Sequence, residues 1–303
     1  MRTEYDCLPC ILRQALDALC RLDVGGNVRE AVIREVLKAT AEIDFHRPPP
    51  AMSKIIHDLI RQTTGNPDPY REVKERQNRL ALALYPSCRE RVAASADPLL
   101  AALRLAAAGN VIDLGAKGGL DEVQIRSEIE KGFDAPLVGV SAKAFRQVVE
   151  RAGKMLYIGD NAGEIVFDRI LIEQIGPEKV TYAVRGGPII NDATRADAEA
   201  VGLCGMVEVV DSGSGVPGTI LEDCGAEFRR HFDEADLILA KGQGNYETLS
   251  DTPADVFFLF KVKCSVVAKH AGMPIGIHVL ARPRVSSSTS EPARTCREGG
   301  RRT

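Results

Sequence analysis

The switch in hydrophobic period near Lys154 constrains the fold of this 303-residue chain more than any other feature. From Leu8 to Ala108 apolar residues recur at three- and four-residue intervals, as in Ile11, Leu12, Ala15, Leu16 and Leu19, then Val32, Ile33, Val36 and Leu37. That spacing lines up one face of a helix. Breaks at Val24-Gly25-Gly26, Arg47-Pro48-Pro49-Pro50, Gly65-Asn66-Pro67-Asp68-Pro69 and Asp97-Pro98 divide the stretch into about five helices. After Lys154 short apolar runs alternate with amphipathic stretches: Met155–Ile158, Val180–Val184, Val207–Val210, Leu237–Ala240 and Ile275–Val279. Strands separated by helices imply a parallel sheet covered on both faces by right-handed crossovers. The reading is an all-helical domain over residues 1–108, an α/β domain over 109–280 and a basic tail over 281–303. The tail, rich in Ser and Arg and nearly free of apolar residues, is expected to be disordered.

Composition narrows the function classes. The net charge is −3, yet the tail contributes six Arg and two Glu, so the rest of the chain is more acidic still and is not built to hold nucleic acid. No apolar run approaches the roughly 20 residues of a membrane span, and none suits a signal peptide. Eight scattered Cys are read as thiols of a reducing cytoplasm. With no Trp and 5% aromatics, stacking surfaces are scarce and ligand binding is expected to be polar.

In a parallel sheet, ligands collect beyond the carboxyl ends of the strands. The first run ends in Gly159-Asp160-Asn161, the second in Arg185 to Asp192, the fourth in Lys241-Gly242-Gln243-Gly244-Asn245-Tyr246-Glu247. Asp160 and Asp192 lie one strand and one crossover apart, which can set them on strands about 4.8 Å apart. Two carboxylates with the amide of Asn161 make an all-oxygen set that favours Mg²⁺ or Mn²⁺ over Zn²⁺. The competing reading makes Asp160 and Asp192 helix N-caps. Gly163 leaves backbone approachable at a helix start, where anions are favoured, and Arg185 and Lys241 add cations at the same edge. Lys241 read alone is a solvated edge residue. Together these parts suffice for phosphoryl transfer.

Two further motifs carry less. Gly213-Ser214-Gly215-Val216-Pro217-Gly218 fits the dinucleotide fingerprint literally, but the next strand ends in Lys241 where an acidic residue is needed, and Pro217 would have to open the helix. It reads as a flexible substrate-side loop. Cys7-Leu8-Pro9-Cys10 lacks the second ligand pair of a structural zinc site and reads as thiols at a helix start, which Cys264 could approach.

Taken together these motifs resemble the metal-dependent damage-control phosphatases, in the microbial branch with an N-terminal cysteine pair. The resemblance rests on Tyr157 to Asp168, Arg185 to Asp192 and Lys241 to Glu247, and extends to Cys7–Cys10, Thr64–Tyr70 with Lys74, Gly109–Asp113 and Lys261–Cys264. It implies a helical N-terminal domain beside a Rossmann-like three-layer α/β/α domain. It also implies a divalent ion (Mn²⁺, Mg²⁺, Co²⁺ or Ni²⁺) at Asp160, Asn161 and Asp192, with Asp160, Asp192 and Lys241 catalytic. Glu164, Asn245, Gly163, Arg185, Asn110 and Asp113 are the residues expected near substrate phosphate. The expected substrates are small phosphorylated metabolites: sugar phosphates or damaged phosphometabolites. A carboxyl methyltransferase and a non-catalytic metal- or metabolite-binding protein are the alternatives. The oligomeric state is not legible.

Overall fold

A computed structural model describes residues 1–109 and 122–282 of the chain. Five helices come first: α1 (Cys7–Cys20), α2 (Gly26–Ala41), α3 (Pro49–Thr64), α4 (Arg71–Ala93) and α5 (Pro98–Ala108). Their ends follow local chemistry. Pro49 and Pro98 occupy first turns, where no intrahelical donor is lost, Asp97 caps α5 by accepting from Leu100 N at 3.1 Å, and α3 stops at left-handed Gly65.

The second part runs α6 (Glu122–Asp134), β1 (Leu137–Gly139), α7 (Ala142–Arg151), β2 (Met155–Ile158), α8 (Glu164–Ile175), β3 (Val180–Val184), α9 (Arg195–Ala200), β4 (Glu208–Asp211), α10 (Ala226–Glu234), β5 (Leu237–Lys241), α11 (Gly242–Leu249), β6 (Val256–Lys261), α12 (Ser265–Ala271) and β7 (His278–Ala281). The strands form one sheet in the order β1-β7-β6-β5-β2-β3-β4, parallel except for β6 with β7. Two strands were not anticipated, β1 and β6. The run Val256-Phe257-Phe258-Leu259-Phe260 has no polar alternation because both faces of this inner strand are covered. The predicted last strand starts later, at His278, and turns antiparallel.

Alternation along the strands sorts the core into two layers. Tyr157, Tyr182, Leu239, Phe257 and Leu259 face α4 through α9, while Leu156, Ile158, Ile238, Phe258 and Phe260 face α10, α11 and α12. This is the expected α/β/α arrangement. The core does not divide near residue 108, however. Leu84, Leu99, Leu103 and Leu105 of α4 and α5 join the layer on the sheet, and a separate cluster is built from α1, α2 and α3 with Leu22 and Tyr70, with Ile190 and Val266 packed against it. The α4 and α5 stripes are apolar because they cover the sheet. At the other end, Ala281 completes β7 and Arg282 pairs with Asp255, so ordered structure runs two residues past the expected boundary. Residues 283–303 lie outside the described part.

Phe257 is fully buried and meets the Phe145 ring edge-on at 5.3 Å. Replacing Phe257 by Ala is expected to lower the unfolding free energy by about 3–5 kcal/mol, read as a lower urea midpoint at unchanged slope.

Candidate functional site

β2 and β5 are neighbours in the sheet, and their crossovers leave in opposite directions, β2 toward β3 and β5 toward β6. The crevice beyond their carboxyl ends is therefore the topological switch point. Asn245 holds its two lips together, its Nδ2 donating to Gly159 O (3.2 Å) and Lys241 O (2.7 Å). Gly242 turns the chain there with φ 80°, and an added Cβ would lie 2.0 Å from Asp160 Oδ2. Only glycine permits that carboxylate its place. Asp192 is brought back by the loop after β3, where Ala193 N donates to Asp160 O (2.8 Å) and Asp192 bridges Asn161. Ile190 in this loop is a non-glycine residue at positive φ (44°), a strained conformation of the kind found at sites.

Neither aspartate is a helix cap. Gly163 occupies the cap position of α8 without a side-chain bond, and Thr194 with Asp197 forms the capping box of α9. The carboxylates of Asp160 and Asp192 point instead into a buried polar network. Arg185 Nε donates to Asp192 Oδ2 (2.7 Å), and its Nη2, without a hydrogen-bond partner, lies 3.7 Å from Asp160 Oδ1. Asn161 Nδ2 donates to Asp160 Oδ2 (3.0 Å) and Glu164 Oε1 (2.8 Å), which leaves the amide oxygen as the atom it can offer a cation. Lys241, 1% exposed and so no solvated edge residue, donates from Nζ to Asp168 Oδ1 (2.6 Å) and lies 3.7 Å from Glu164. Tyr157 and Tyr182 donate to the two oxygens of Asp168, each at 2.7 Å.

The charges do not balance. Asp160, Glu164, Asp168 and Asp192 outnumber the buried cations Arg185 and Lys241 by two, and the exposed Lys263 is the further cation that acts on Asp160, Glu164 and Asp192. The titration behaviour reflects it. Burial, then repulsion from Asp192, raises the Asp160 carboxyl; burial raises Asp192 and Glu164 as well, against the pull of Arg185 and Lys241 respectively. Burial alone would depress Lys241, but Asp168 and Glu164 outweigh it and hold the ammonium above its ordinary value. A divalent cation fits this set: it would cancel the surplus, and two carboxylates with an amide oxygen suit a hard ion. Among the described residues no group of three or more His, Cys, Asp or Glu is placed to hold a metal ion, so a cation here would need the Asn161 amide oxygen as well as the carboxylates.

Asp160, Asn161 and Asp192 line one side of a cavity of about 430 Å³. Its other walls come from the start of α1 (Asp6, Cys7, Cys10), from Ser53 of α3, from Gln243 and Glu247 on α11, and from Lys263 to Val266. Pro217 also lines it, placing the glycine-rich loop on the substrate side, and no helix opens directly after that loop. Arg185, Glu164, Lys241 and Asn245 sit behind this wall. Asn245 is saturated, its Oδ1 accepting from Arg185 and Thr219. The Gly163 amide donates to Asn78 Oδ1 on α4 (2.8 Å) and offers no spare N–H. Asn110 and Asp113 lie outside the described residues. Asp168, Asn78 and Glu247 were not singled out as site residues. Asp168 follows Glu164 by one helical turn on α8, and both Asp168 and Glu247 close motif stretches that carry the family resemblance.

A family model described as the damage-control phosphatase ARMT1-like domain matches residues 3–279. An uncharacterized protein of Methanocaldococcus jannaschii is 34% identical over 295 residues, covering 93% of this chain and 96% of its own. A damage-control phosphatase of Pyrococcus horikoshii is 34% identical over 288 residues, with 93% and 98% covered, and one of Archaeoglobus fulgidus 36% over 282 residues, with 91% and 97% covered. The crystal structure of a DUF89 family protein from P. horikoshii superposes with a TM-score of 0.87 at 33% identity, over 94% of this chain and 100% of that one.

Two measurements probe the electrostatics. Asp168→Ala strands the Lys241 ammonium in the core and is expected to cost about 3–5 kcal/mol, with much of it recovered in the Asp168→Ala, Lys241→Met double variant; equal midpoints for wild type and single variant would refute the role of the pair. Glu247, its carboxyl raised by burial to about 7 from an ordinary 4.5, faces the Met1 ammonium, Lys263, Asp160 and Cys7. The native state then holds a proton that the unfolded chain has lost, so stability falls as pH rises from about 4.5 through 7. Glu247→Gln removes this slope, and its urea midpoint relative to wild type is expected to climb between pH 5 and pH 8 in chelator.

Proposed function

Because the chain belongs to the damage-control phosphatase ARMT1-like family, we propose that it hydrolyses small phosphomonoesters with the help of a divalent cation held by Asp160, Asn161 and Asp192. The observation that carries the reading is the pair of unmatched buried negative charges at the switch point, on an all-oxygen donor set open to the cavity. Mg²⁺, Mn²⁺, Co²⁺ and Ni²⁺ are the candidate ions. Bound there, the ion would neutralise charge that develops on the transferring phosphoryl group.

The protein residues divide the remaining work. Asp160, on the wall where phosphorus would sit, supplies or positions the attacking oxygen. Lys241 holds Asp168 and Glu164 and puts a fixed positive charge behind the phosphate, an electrostatic contribution that needs no direct contact. Arg185 orients Asp192 and keeps its Nη2 toward Asp160. Asn245 and Asn78 keep the strand ends and the Gly163 turn in register. A cavity of about 430 Å³ lined by Gln14, Gln243, Ser53 and Lys263 suits a small polyhydroxylated substrate, such as a sugar phosphate or a damaged phosphometabolite.

Asp160→Ala is expected to lower cation-stimulated phosphate release by more than about a hundredfold, the scale reached by losing even an outer partner of a metal, while cooperative unfolding persists. Cation-stimulated turnover in that folded variant would refute the assignment.

A further inference from the structure

We propose that Glu247 is the general acid of this reaction, giving its proton to the leaving alcohol oxygen. The proposal rests on the phosphatase reading above. An alkyl phosphomonoester expels an alkoxide that is too basic to leave unaided, and a positioned acid contributes typically 10²–10⁴-fold to such steps. With phosphorus at the Asp160, Asn161 and Asp192 wall, the alcohol part of the ester extends toward the walls made by α1, α11 and the segment from Lys263 to Val266. The titratable groups there are Asp6, Cys7, Cys10, Glu247, Lys263 and Cys264.

Position and chemistry leave one of them. Asp6, Cys10 and Lys263 are exposed at the rim, and Asp6 already accepts from Ser265 (3.2 Å). Burial pushes the Cys7 thiol up, so it releases its proton reluctantly. Cys264 acts as an acceptor, its Sγ receiving Gln243 Nε2 (3.7 Å) and Val267 N (3.5 Å). Glu247 is held for donation. Lys263 N donates to Gln243 Oε1 (2.9 Å), which fixes that amide so that its Nε2 donates to Glu247 Oε1 (2.8 Å). With Oε1 engaged as an acceptor, Oε2 is the oxygen left to carry a proton. Burial lifts its carboxyl to about 7, so that both forms are populated at neutral pH. The backbone is anchored as well, since the Met1 ammonium donates to Glu247 O (3.0 Å) and Asp251 (2.9 Å), and the other end of α11 is clamped by Asn245.

The step balances. As the incoming oxygen bonds to phosphorus, the bond from phosphorus to the alcohol oxygen breaks, and its electron pair stays on that oxygen. The oxygen takes the Glu247 proton and leaves as a neutral alcohol. The water consumed supplies its oxygen to phosphate, and a proton from it restores Glu247 through solvent.

The test compares wild type, Glu247→Gln and Glu247→Asp on p-nitrophenyl phosphate, whose leaving group needs no proton, and on glycerol phosphate and hexose phosphates, whose leaving groups do. Glu247→Gln is expected to lose about 10²–10³-fold in kcat on the alkyl esters but less than about threefold on the aryl ester. Glu247→Asp, which keeps an acid, should retain part of the alkyl activity. Equal losses on both ester classes, or none on the alkyl esters, would overturn the role of Glu247 and leave the phosphatase reading standing. Absence of phosphate release by wild type from every ester with all four cations would overturn both. Should Glu247→Gln fail to unfold cooperatively, the wild-type leaving-group series decides: a shallow dependence of kcat on leaving-group basicity supports the acid, and a steep one refutes it.

Discussion

The buried pair of Lys241 and Asp168 is the interaction on which the rest of the site depends. It joins the end of β5 to α8, and through the Tyr157 and Tyr182 hydroxyls it includes β2 and β3. Four elements thus meet at one carboxylate. A buried pair of this kind contributes little net stability, because desolvation offsets its attraction, but leaving one partner alone is costly. Its value lies in register. A one-residue slip of β2, β3 or β5 would turn the tyrosines or the lysine to the other face and strand the charge. The same register sets Asp160 and Gly242 against each other, where no side chain other than hydrogen fits.

With that frame held, the polar network can tolerate a surplus of negative charge at its open end. Lys241 serves Asp168 and Glu164 on the inner side and Arg185 serves Asp192 and, more distantly, Asp160 at the cavity, so the four carboxylates still outnumber their buried cations. The helices complete the site from above. Asn78 of α4 satisfies the Gly163 amide, and α4 itself is fixed to α9 through Lys74 and Asn78, which both contact Asp197. The first helices are therefore part of the candidate site's architecture: α4 and α5 belong to the sheet layer, and α1 with α3 lines the cavity.

Much of this was legible in the residues. Period alone located the five leading helices and the strands that end in Gly159, Arg185 and Lys241, and oxygen-donor chemistry singled out Asp160, Asn161 and Asp192, which share one cavity wall. Other features had no local signature. β6 is apolar from Val256 to Phe260 and carries no period, so periodicity alone does not separate a buried strand from a buried helix segment there. Asp168 and Glu247 look like ordinary helical acids, and only the long-range packing of Tyr157, Tyr182 and Gln243 reveals what they do. Asn245 and Gly163 stood out as polar loop residues, yet their hydrogen-bonding groups are spent on the frame, a distinction that residue type does not encode.

The division of labour between floor and walls follows from the same geometry. The charged residues of the candidate site come from the carboxyl ends of β2, β3 and β5 and from the first turns of α8, elements buried between the two core layers. The rest of the cavity wall comes from the start of α1, from α3, from α11 and from the segment before α12. Of these, α11 is tied to the floor through Asn245, whereas α1 and α3 pack in a separate cluster and can vary with less effect on the charged residues. Under the proposed phosphatase reading, chains sharing this floor can keep one reaction while differing in the alcohol they release, and Glu247, which lines the cavity from α11, serves both regions.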